Sequence, residues 1–216
     1  LAAVVLYFRY DLVMLFKAWL SSLAGQRTSE SVLAWMTIFA TIPALLTGFF
    51  LNDLIDHHLR SILVIAATTL IFGALLYWAD IGRTEHRSLT KIGLKDALII
   101  GAAQAFALIP GTSRSGITIS AALMLGFKRQ AAARFSFLMS VPVIAGAGLI
   151  KGLELSQAGN GEAWSMVLLG TLIAGVSAFS CIHLFLKCLD RIGMTPFVIY
   201  RMLLGICLLI VWYTTG

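Results

Sequence analysis

A short polar stretch, Pro110–Gly116 (PGTSRSG), lies between two apolar segments that are each too short to cross a bilayer. The first segment, Asp96–Ile109, has 14 residues, which is about 21 Å of helix at 1.5 Å per residue. The second, Gly116–Phe127, has 12 residues, or about 18 Å. A hydrocarbon core is about 30 Å thick. The two segments therefore form either one broken crossing or a hairpin that returns to the side it entered.

The rest of the chain consists mainly of long apolar runs. Hydrophobic residues make up 59% of it and charged residues 12%, against about 25% charged in soluble domains. We therefore predict a single integral membrane domain over residues 1–216, an all-α polytopic protein with six transmembrane helices and one re-entrant helix pair. The predicted spans are Leu1–Leu20, Val32–Leu51, Ile62–Ala79, Ala131–Ile150, Trp164–Leu186 and Phe197–Tyr213.

The distribution of basic residues favours the returning hairpin. If Leu94–Phe127 enters and leaves on one side, most Lys and Arg residues gather on that side, Lys17, Lys91, Lys128 and Arg191 among them. The positive-inside rule assigns such a face to the cytoplasm. The net charge of +6 is explained by loops next to apolar runs, so we do not expect nucleic-acid binding.

Three predicted spans precede the hairpin and three follow it, which is typical of inverted repeats. Residues 94–213 would then be a second repeat, with its re-entrant hairpin at 94–127. Residues 1–79 would be the remainder of a first repeat, whose own hairpin we expect upstream of Leu1.

The backbone of the polar stretch is suited to a tight turn that ends in an anion site. Pro110 ends the first leg, while Gly111 and Gly116 permit turning and close approach of a ligand. Ser113 or Ser115 can cap the second leg. The first amides of that leg would then point at the site from the positive end of the helix dipole, a geometry that favours phosphate.

The side chains support the same interpretation. An isolated Arg at membrane depth costs on the order of 3 kcal/mol and normally needs a polar cavity and a partner. Arg114 carries a planar guanidinium group that can donate two hydrogen bonds to phosphate oxygens. Thr112, Ser113 and Ser115 add hydroxyl groups. We predict Arg114 as the main ligand of a phosphate or diphosphate carried by a membrane-borne substrate.

Two further residues are candidate substrate ligands with structural alternatives. Gln104 either reaches the cavity from the first leg or bridges helices. Arg201, one turn into the last span, either reaches the substrate or pairs with a loop. No acidic residue is predicted at the depth of Arg114, so we expect no metal ligand from these residues, and any acids needed for catalysis should lie in the segment upstream.

Three stretches carry a family resemblance: residues 101–120 (GAAQAFALIPGTSRSGITIS), 134–142 (RFSFLMSVP) and 196–201 (PFVIYR). With these, the chain resembles the undecaprenyl-diphosphate phosphatases of the BacA/UppP type, the bacitracin-resistance proteins. The resemblance implies hydrolysis of the C55 prenyl diphosphate to the monophosphate and inorganic phosphate, which recycles a lipid carrier for cell-wall synthesis. It implies Arg114 and Ser113 as catalytic residues, and Gly111, Thr112, Ser115 and Gly116 as part of the diphosphate-binding element.

The same resemblance implies a divalent cation, Mg or Ca, and a site in the bacterial inner membrane that opens to the periplasmic side. A homodimer is a further possibility. The family's other motif, a glutamate pair followed by Ser-Ser-Thr-Gly-His, is absent from this sequence. We therefore expect the cation's ligands there, and little activity from these residues alone. The alternative function is a transporter or flippase for a phosphate-bearing lipid or anion, because inverted repeats with broken helices also build transporters.

Overall fold

A computed structural model describes residues 1–82, 87–157 and 161–215. Within these ranges the chain is helical, with one isolated β-bridge. Short 3-10 turns occur at Leu89–Lys91 and Phe106–Leu108. The α-helices are α1 (Ala2–Tyr7), α2 (Arg9–Leu23), α3 (Ser29–His58), α4 (Ile62–Ile81), α5 (Leu94–Ala105), α6 (Arg114–Met124), α7 (Arg129–Gln157), α8 (Gly161–Ile192) and α9 (Thr195–Thr215).

Five of the described helices are long and apolar enough to cross a membrane. Their apolar segments agree with the second to sixth predicted spans, so the protein is a multi-pass membrane protein. The segments are Ser29–Phe50, Ile62–Ile81, Arg129–Leu149, Val167–Leu189 and Thr195–Thr214.

The first predicted span, Leu1–Leu20, is wrong as a single helix. It is divided at Phe8 (φ −97°, ψ 19°) into α1, with 6 residues, and α2, with 15 residues. A helix of 15 residues reaches only about 22 Å, and α2 carries Arg9, Asp11 and Lys17. Just after the break, the Arg9 guanidinium donates to the Leu6 carbonyl at 2.9 Å.

Helices α5 and α6 form a hairpin whose two ends meet. The Arg87 amide donates to the Gly126 carbonyl at 3.1 Å, and the Lys128 amide donates to the Arg87 carbonyl at 3.0 Å. The Arg87 guanidinium also stacks over the Phe127 ring, 4.4 Å from its centroid. The chain therefore enters and leaves this hairpin at the same end of the helix bundle. We call this end, which carries Arg87, Lys128 and Arg129, the basic end.

A buried ion pair ties three helices together at the basic end. Arg129 on α7 donates to both carboxylate oxygens of Asp80 on α4, at 2.8 Å each. The same carboxylate accepts from the amide of Met194, just before α9, at 3.2 Å. Asp80 is only 5% exposed. These contacts fix the start of α7 and of α9 against the end of α4.

Close helix contacts hold the hairpin inside the bundle. A Cβ added to Gly101 of α5 would lie 2.2 Å from the Ala40 carbonyl oxygen of α3, and one on Gly205 of α9 would lie 2.6 Å from Leu70 of α4.

The hairpin tip contacts Thr69 of α4, which precedes Asp80 by eleven residues, or about 16 Å of helix. The tip therefore lies roughly half a hydrocarbon thickness from the basic end.

Candidate functional site

The hairpin tip turns sharply at Pro110 and Gly111. Ile109 before the proline is extended (φ −74°, ψ 123°), as the proline ring requires. Gly111 has φ +89°, and a Cβ there would lie 2.3 Å from the Thr68 hydroxyl and 2.4 Å from the Ile65 carbonyl oxygen. Both the backbone conformation and the close approach to α4 therefore require glycine at this position.

The tip is fastened to α4 and α9 through its carbonyl groups. The Thr68 hydroxyl donates to the Pro110 carbonyl at 2.6 Å, and the Thr69 hydroxyl lies 3.2 Å from the Gly111 carbonyl oxygen. The Arg201 guanidinium donates to the Gly111 carbonyl at 2.9 Å and to the Thr69 carbonyl at 3.2 Å. Sequence reasoning missed Thr68 and Thr69, although an adjacent pair of threonines in an apolar span was an available signal.

Helix α6 begins at the tip and is capped by a serine side chain. Ser113 is the N-cap, and its hydroxyl oxygen accepts from the Gly116 amide at 3.3 Å. Its φ of 63° is the one positive φ of a non-glycine residue in the described part of the chain. Such backbone strain is concentrated at functional sites. Arg114 is the first residue of α6, so its charge lies at the positive end of the helix dipole.

A cavity of about 360 Å³ opens beside the tip. Its polar lining includes Gly111, Ser113, Ser115, Gly116 and Arg201, five of the predicted site residues. Side chains from α4, α6, α8 and α9, together with Met194, supply the apolar walls. Serine hydroxyls, a guanidinium and glycine backbone within an apolar pocket can hold an anionic group that is attached to a hydrocarbon chain. The apolar walls are formed by Ile65, Leu76, Ile119, Phe185, Met194, Phe197, Leu204 and Leu208.

Arg114 is placed beside this cavity rather than on its lining. Its side chain is half-buried and makes no hydrogen bond or ion pair with the residues that the structure describes. Arg201 is buried, 8% exposed, and its Nε has no partner among the same residues. Two guanidinium groups therefore flank the tip, and the lining of the cavity contains no carboxylate.

Gln104 and Thr112 lie inside the hairpin and do not line this cavity. Gln104 is 2% exposed and Thr112 is 0% exposed. Neither the Gln104 amide nor the Thr112 hydroxyl has a hydrogen-bond partner within the described ranges. A buried polar group without a hydrogen-bond partner lowers stability by about 1–3 kcal/mol. A polar partner would therefore stabilise both groups. Within the described residues, the Gln104 amide makes no hydrogen bond that would bridge two helices.

The second resembling stretch supports the hairpin from α7. The Thr118 hydroxyl of α6 and the Ser136 hydroxyl of α7 lie 2.7 Å apart, and both residues are buried. This contact holds α6 by the helix that follows it. The conformation of the tip therefore depends on α4, α7 and α9 together.

The residues at the tip do not fit a divalent cation. Mg²⁺ and Ca²⁺ prefer carboxylate and carbonyl oxygens, whereas the cavity is lined by hydroxyls, glycines and a guanidinium. No group of three His, Cys, Asp or Glu residues suited to a metal occurs in the described part of the chain. The observed chemistry is that of an anion site.

Comparison with known proteins finds a matching family and two similar enzymes. Residues 1–207 match the protein family described as "Bacitracin resistance protein BacA". An undecaprenyl-diphosphatase of Chromohalobacter salexigens is 56% identical over 211 residues, which cover 97% of this chain and 80% of that relative. An undecaprenyl-diphosphatase of Hahella chejuensis is 55% identical over 214 residues, covering 99% of this chain and 80% of the relative. The chain belongs to the BacA family of bacitracin resistance proteins.

Proposed function

We propose that this protein hydrolyses undecaprenyl diphosphate to undecaprenyl phosphate and inorganic phosphate, and so recycles the lipid carrier for cell-wall synthesis. The observation that carries the proposal is the 55–56% identity to two undecaprenyl-diphosphatases over nearly the whole chain. The site at the hairpin tip supports it, because its polar groups suit a diphosphate and its apolar walls suit a prenyl chain. The alternative function as a transporter is not favoured, since both relatives are named as hydrolases.

In this reaction the bond between the terminal phosphorus and the bridging oxygen breaks. The bridging oxygen stays with the prenyl monophosphate, and an oxygen from water ends in the inorganic phosphate. Charge builds up on the phosphate oxygens as this bond breaks, and fixed cations and amide dipoles stabilise that charge. Arg114 and the first amides of α6 are proposed for this role, with Ser115 as an additional donor.

Ser113 is proposed to hold the phosphate through its hydroxyl proton. Its oxygen already accepts from the Gly116 amide at 3.3 Å, so the proton remains available for a substrate oxygen. An alkoxide nucleophile would need an adjacent base, and the lining of the cavity contains no His, Asp or Glu. Arg201 is proposed to position the tip, because it donates to the Gly111 carbonyl, and to contribute positive charge.

A divalent cation is proposed as a requirement, with ligands supplied from outside the described residues. The test is phosphate release before and after treatment with a chelator, followed by add-back of Mg²⁺ or Ca²⁺. Full activity in excess chelator would exclude the requirement. None of the roles proposed above for Arg114, Ser113 or Arg201 depends on the cation.

We also propose that the α5–α6 hairpin is re-entrant, that the basic end faces the cytoplasm, and that the site opens to the periplasmic side of the inner membrane. The charge distribution supports this orientation. The test is labelling of Lys91→Cys and Ser61→Cys, after Cys181, Cys188 and Cys207 are replaced by Ser. An impermeant thiol reagent should label position 61 and not position 91 in intact cells. The reverse result would invert the topology.

A homodimer is proposed as well, and cross-linking in native membranes tests it. Helix α8 has only 6% of its apolar segment buried within the chain, so it has room for a partner or for lipid. A cross-linked species of twice the monomer mass would support the dimer. Its absence at several cross-linker lengths would count against it.

The enzymatic proposal is tested by phosphate release from a prenyl diphosphate. The purified chain and the longest reading frame that contains it are assayed side by side, each as wild type and as Arg114→Lys. Lysine keeps the charge but lacks the planar fork, so we expect loss of most activity. Lys95→Gln, at the basic end, is the matched control and should retain wild-type turnover. Phosphate release unaffected by Arg114→Lys would overturn the assignment of the site.

A further inference from the structure

A second cavity, of about 560 Å³, lies at the basic end. It is formed where the break between α1 and α2 faces the 3-10 turn at Leu89–Lys91, the start of α7 and the last turns of α8. The hairpin tip at Thr69 lies about 16 Å along α4 from Asp80 at the basic end, and the cavity beside the tip extends from there to Leu76, Phe185 and Met194. The two cavities share no lining residue. The second cavity is therefore separate from the proposed catalytic site.

The lining of this cavity carries an excess of positive charge. Lys128, Arg134 and Lys187 line it, and the one carboxylate on the lining is Asp11. Asp11 is paired with Arg134, which leaves Lys128 and Lys187 without a carboxylate partner within the described ranges. The cavity thus presents two ammonium groups whose charge is not compensated by a carboxylate of the described residues.

The remaining walls combine polar and apolar surface. The Ser88 and Thr90 hydroxyls, 2.6 Å apart, lie on one side. Tyr7 and Phe8 lie at the helix break, and the Tyr7 hydroxyl is 3.5 Å from Nδ1 of His183 on α8. A hydrophilic ion would gain little from this aromatic wall. An anion attached to a hydrocarbon body would use both kinds of surface.

The position of the cavity matches the depth of lipid headgroups. Lys128 immediately precedes α7, and Lys187 lies five residues before the end of α8, about one and a half turns from the helix terminus. The apolar segment of α8 is only 6% buried within the chain, so this side of the bundle is open to lipid. Basic pockets between helices at a membrane surface are suited to anionic headgroups.

We propose that the cavity lined by Lys128, Arg134 and Lys187 binds the phosphate headgroup of an anionic phospholipid, at a site distinct from the hairpin tip. The Lys128 and Lys187 ammonium groups donate to the phosphate oxygens. The Ser88–Thr90 hydroxyl pair contacts the polar part of the headgroup. The aromatic wall at Tyr7 and Phe8 packs against the start of the acyl chains.

The test is lipid binding to the purified, delipidated protein in a neutral detergent. Short-chain phosphatidylglycerol is titrated against phosphatidylcholine of the same chain length. The double variant Lys128→Gln/Lys187→Gln should bind phosphatidylglycerol about 30-fold more weakly, with phosphatidylcholine binding unchanged. Lys91→Gln/Lys95→Gln removes the same charge at the same end outside the cavity, and it should change binding less than twofold. Thermal unfolding of each variant checks that the fold is intact.

A steric variant tests the cavity itself without changing its charge. Leu186→Trp adds bulk to the lining and should also weaken phosphatidylglycerol binding. Inorganic phosphate is added as a competitor. Equal loss in both lysine pairs would show general surface electrostatics and overturn the proposal. Complete competition by phosphate at concentrations comparable to the lipid would identify a free-anion site instead, and would also overturn it.

Discussion

The arginines at the two ends of the α5–α6 hairpin have opposite environments. At the basic end Arg87, Arg129 and Arg134 are each paired with a carboxylate, and the paired carboxylates are Asp96, Asp80 and Asp11. At the tip, Arg114 and Arg201 have no carboxylate partner among the described residues. Among these residues, Arg201 donates only to backbone carbonyls. The contrast separates arginines that hold the fold from arginines that remain available to an anion.

The difference follows from the cost of burying charge. A buried cation is tolerated when it is paired or hydrogen-bonded. At the basic end the pairing partners belong to the protein, so those arginines are neutralised in the folded state. At the tip the missing negative charge must come from elsewhere, which is the situation of a site for a phosphate-bearing substrate. Replacing Arg114 at the tip should therefore mainly lower activity, whereas replacing a paired carboxylate at the basic end should mainly lower stability.

The largest effect is expected for activity at the tip. Arg114→Ala should lower kcat/KM for a prenyl diphosphate by about 1,000-fold, as arginines that stabilise phosphoryl transfer do, with little change in thermal unfolding. Phosphate-release kinetics and a melting curve measure the two quantities. Wild-type kcat/KM in this variant would remove the distinction between the two ends.

The next effect is expected for stability at the basic end. Asp80→Asn removes the carboxylate that accepts from both Arg129 and the Met194 amide, and it should lower the free energy of unfolding by about 3 kcal/mol. Denaturant unfolding in detergent measures the loss. The folded fraction should keep nearly wild-type turnover per molecule. A variant of unchanged stability would show that this buried pair does not hold the helices together.

A smaller effect is expected from the tip backbone. Gly111→Ala places a Cβ at 2.3–2.4 Å from oxygens of Thr68 and Ile65, in a left-handed conformation that non-glycine residues resist. We expect a loss of about 2 kcal/mol in stability together with reduced turnover. Gly148→Ala is the matched control, since a Cβ there meets nothing within 4 Å. Similar losses in both variants would contradict the close approach.

The smallest effect is a pH dependence at the basic end. Burial raises the pKa of Asp96, but hydrogen bonds from Arg87 and from the Gly93 amide outweigh it, so the pKa lies below its ordinary value. A lowered folded-state pKa stabilises the protein above the unfolded value, about 3.9, and the benefit is lost as the pH falls through the folded-state pKa. The stability difference between wild type and Asp96→Asn should be about 1 kcal/mol at pH 7 and should shrink below about pH 4. A constant difference down to pH 2 would be inconsistent with this sign.

The sequence determined those features that depend on neighbouring residues. The two short legs around Pro110 left a broken crossing or a hairpin, and the positions of the basic residues favoured the hairpin. A cap for α6 was predicted at Ser113 or Ser115, and apolar length predicted six spans, of which five agree with described helices. These features are local because helix length, capping and proline turns are set within a few consecutive residues. The positions of Lys91 and Lys128 in the sequence likewise predicted the positive charge of the basic end.

Only the tertiary structure decided which residues meet. The sequence did not indicate the break at Phe8, nor that Thr68 reaches Pro110 across 42 positions and Arg201 reaches Gly111 across 90. It predicted both Arg114 and Arg201 as substrate ligands, but it did not indicate that Arg201 lines the cavity while Arg114 lies beside it. The physical reason is that these contacts depend on how α4, α6 and α9 pack against one another. Helix packing is set by side chains that are distant in the sequence and close only in the fold.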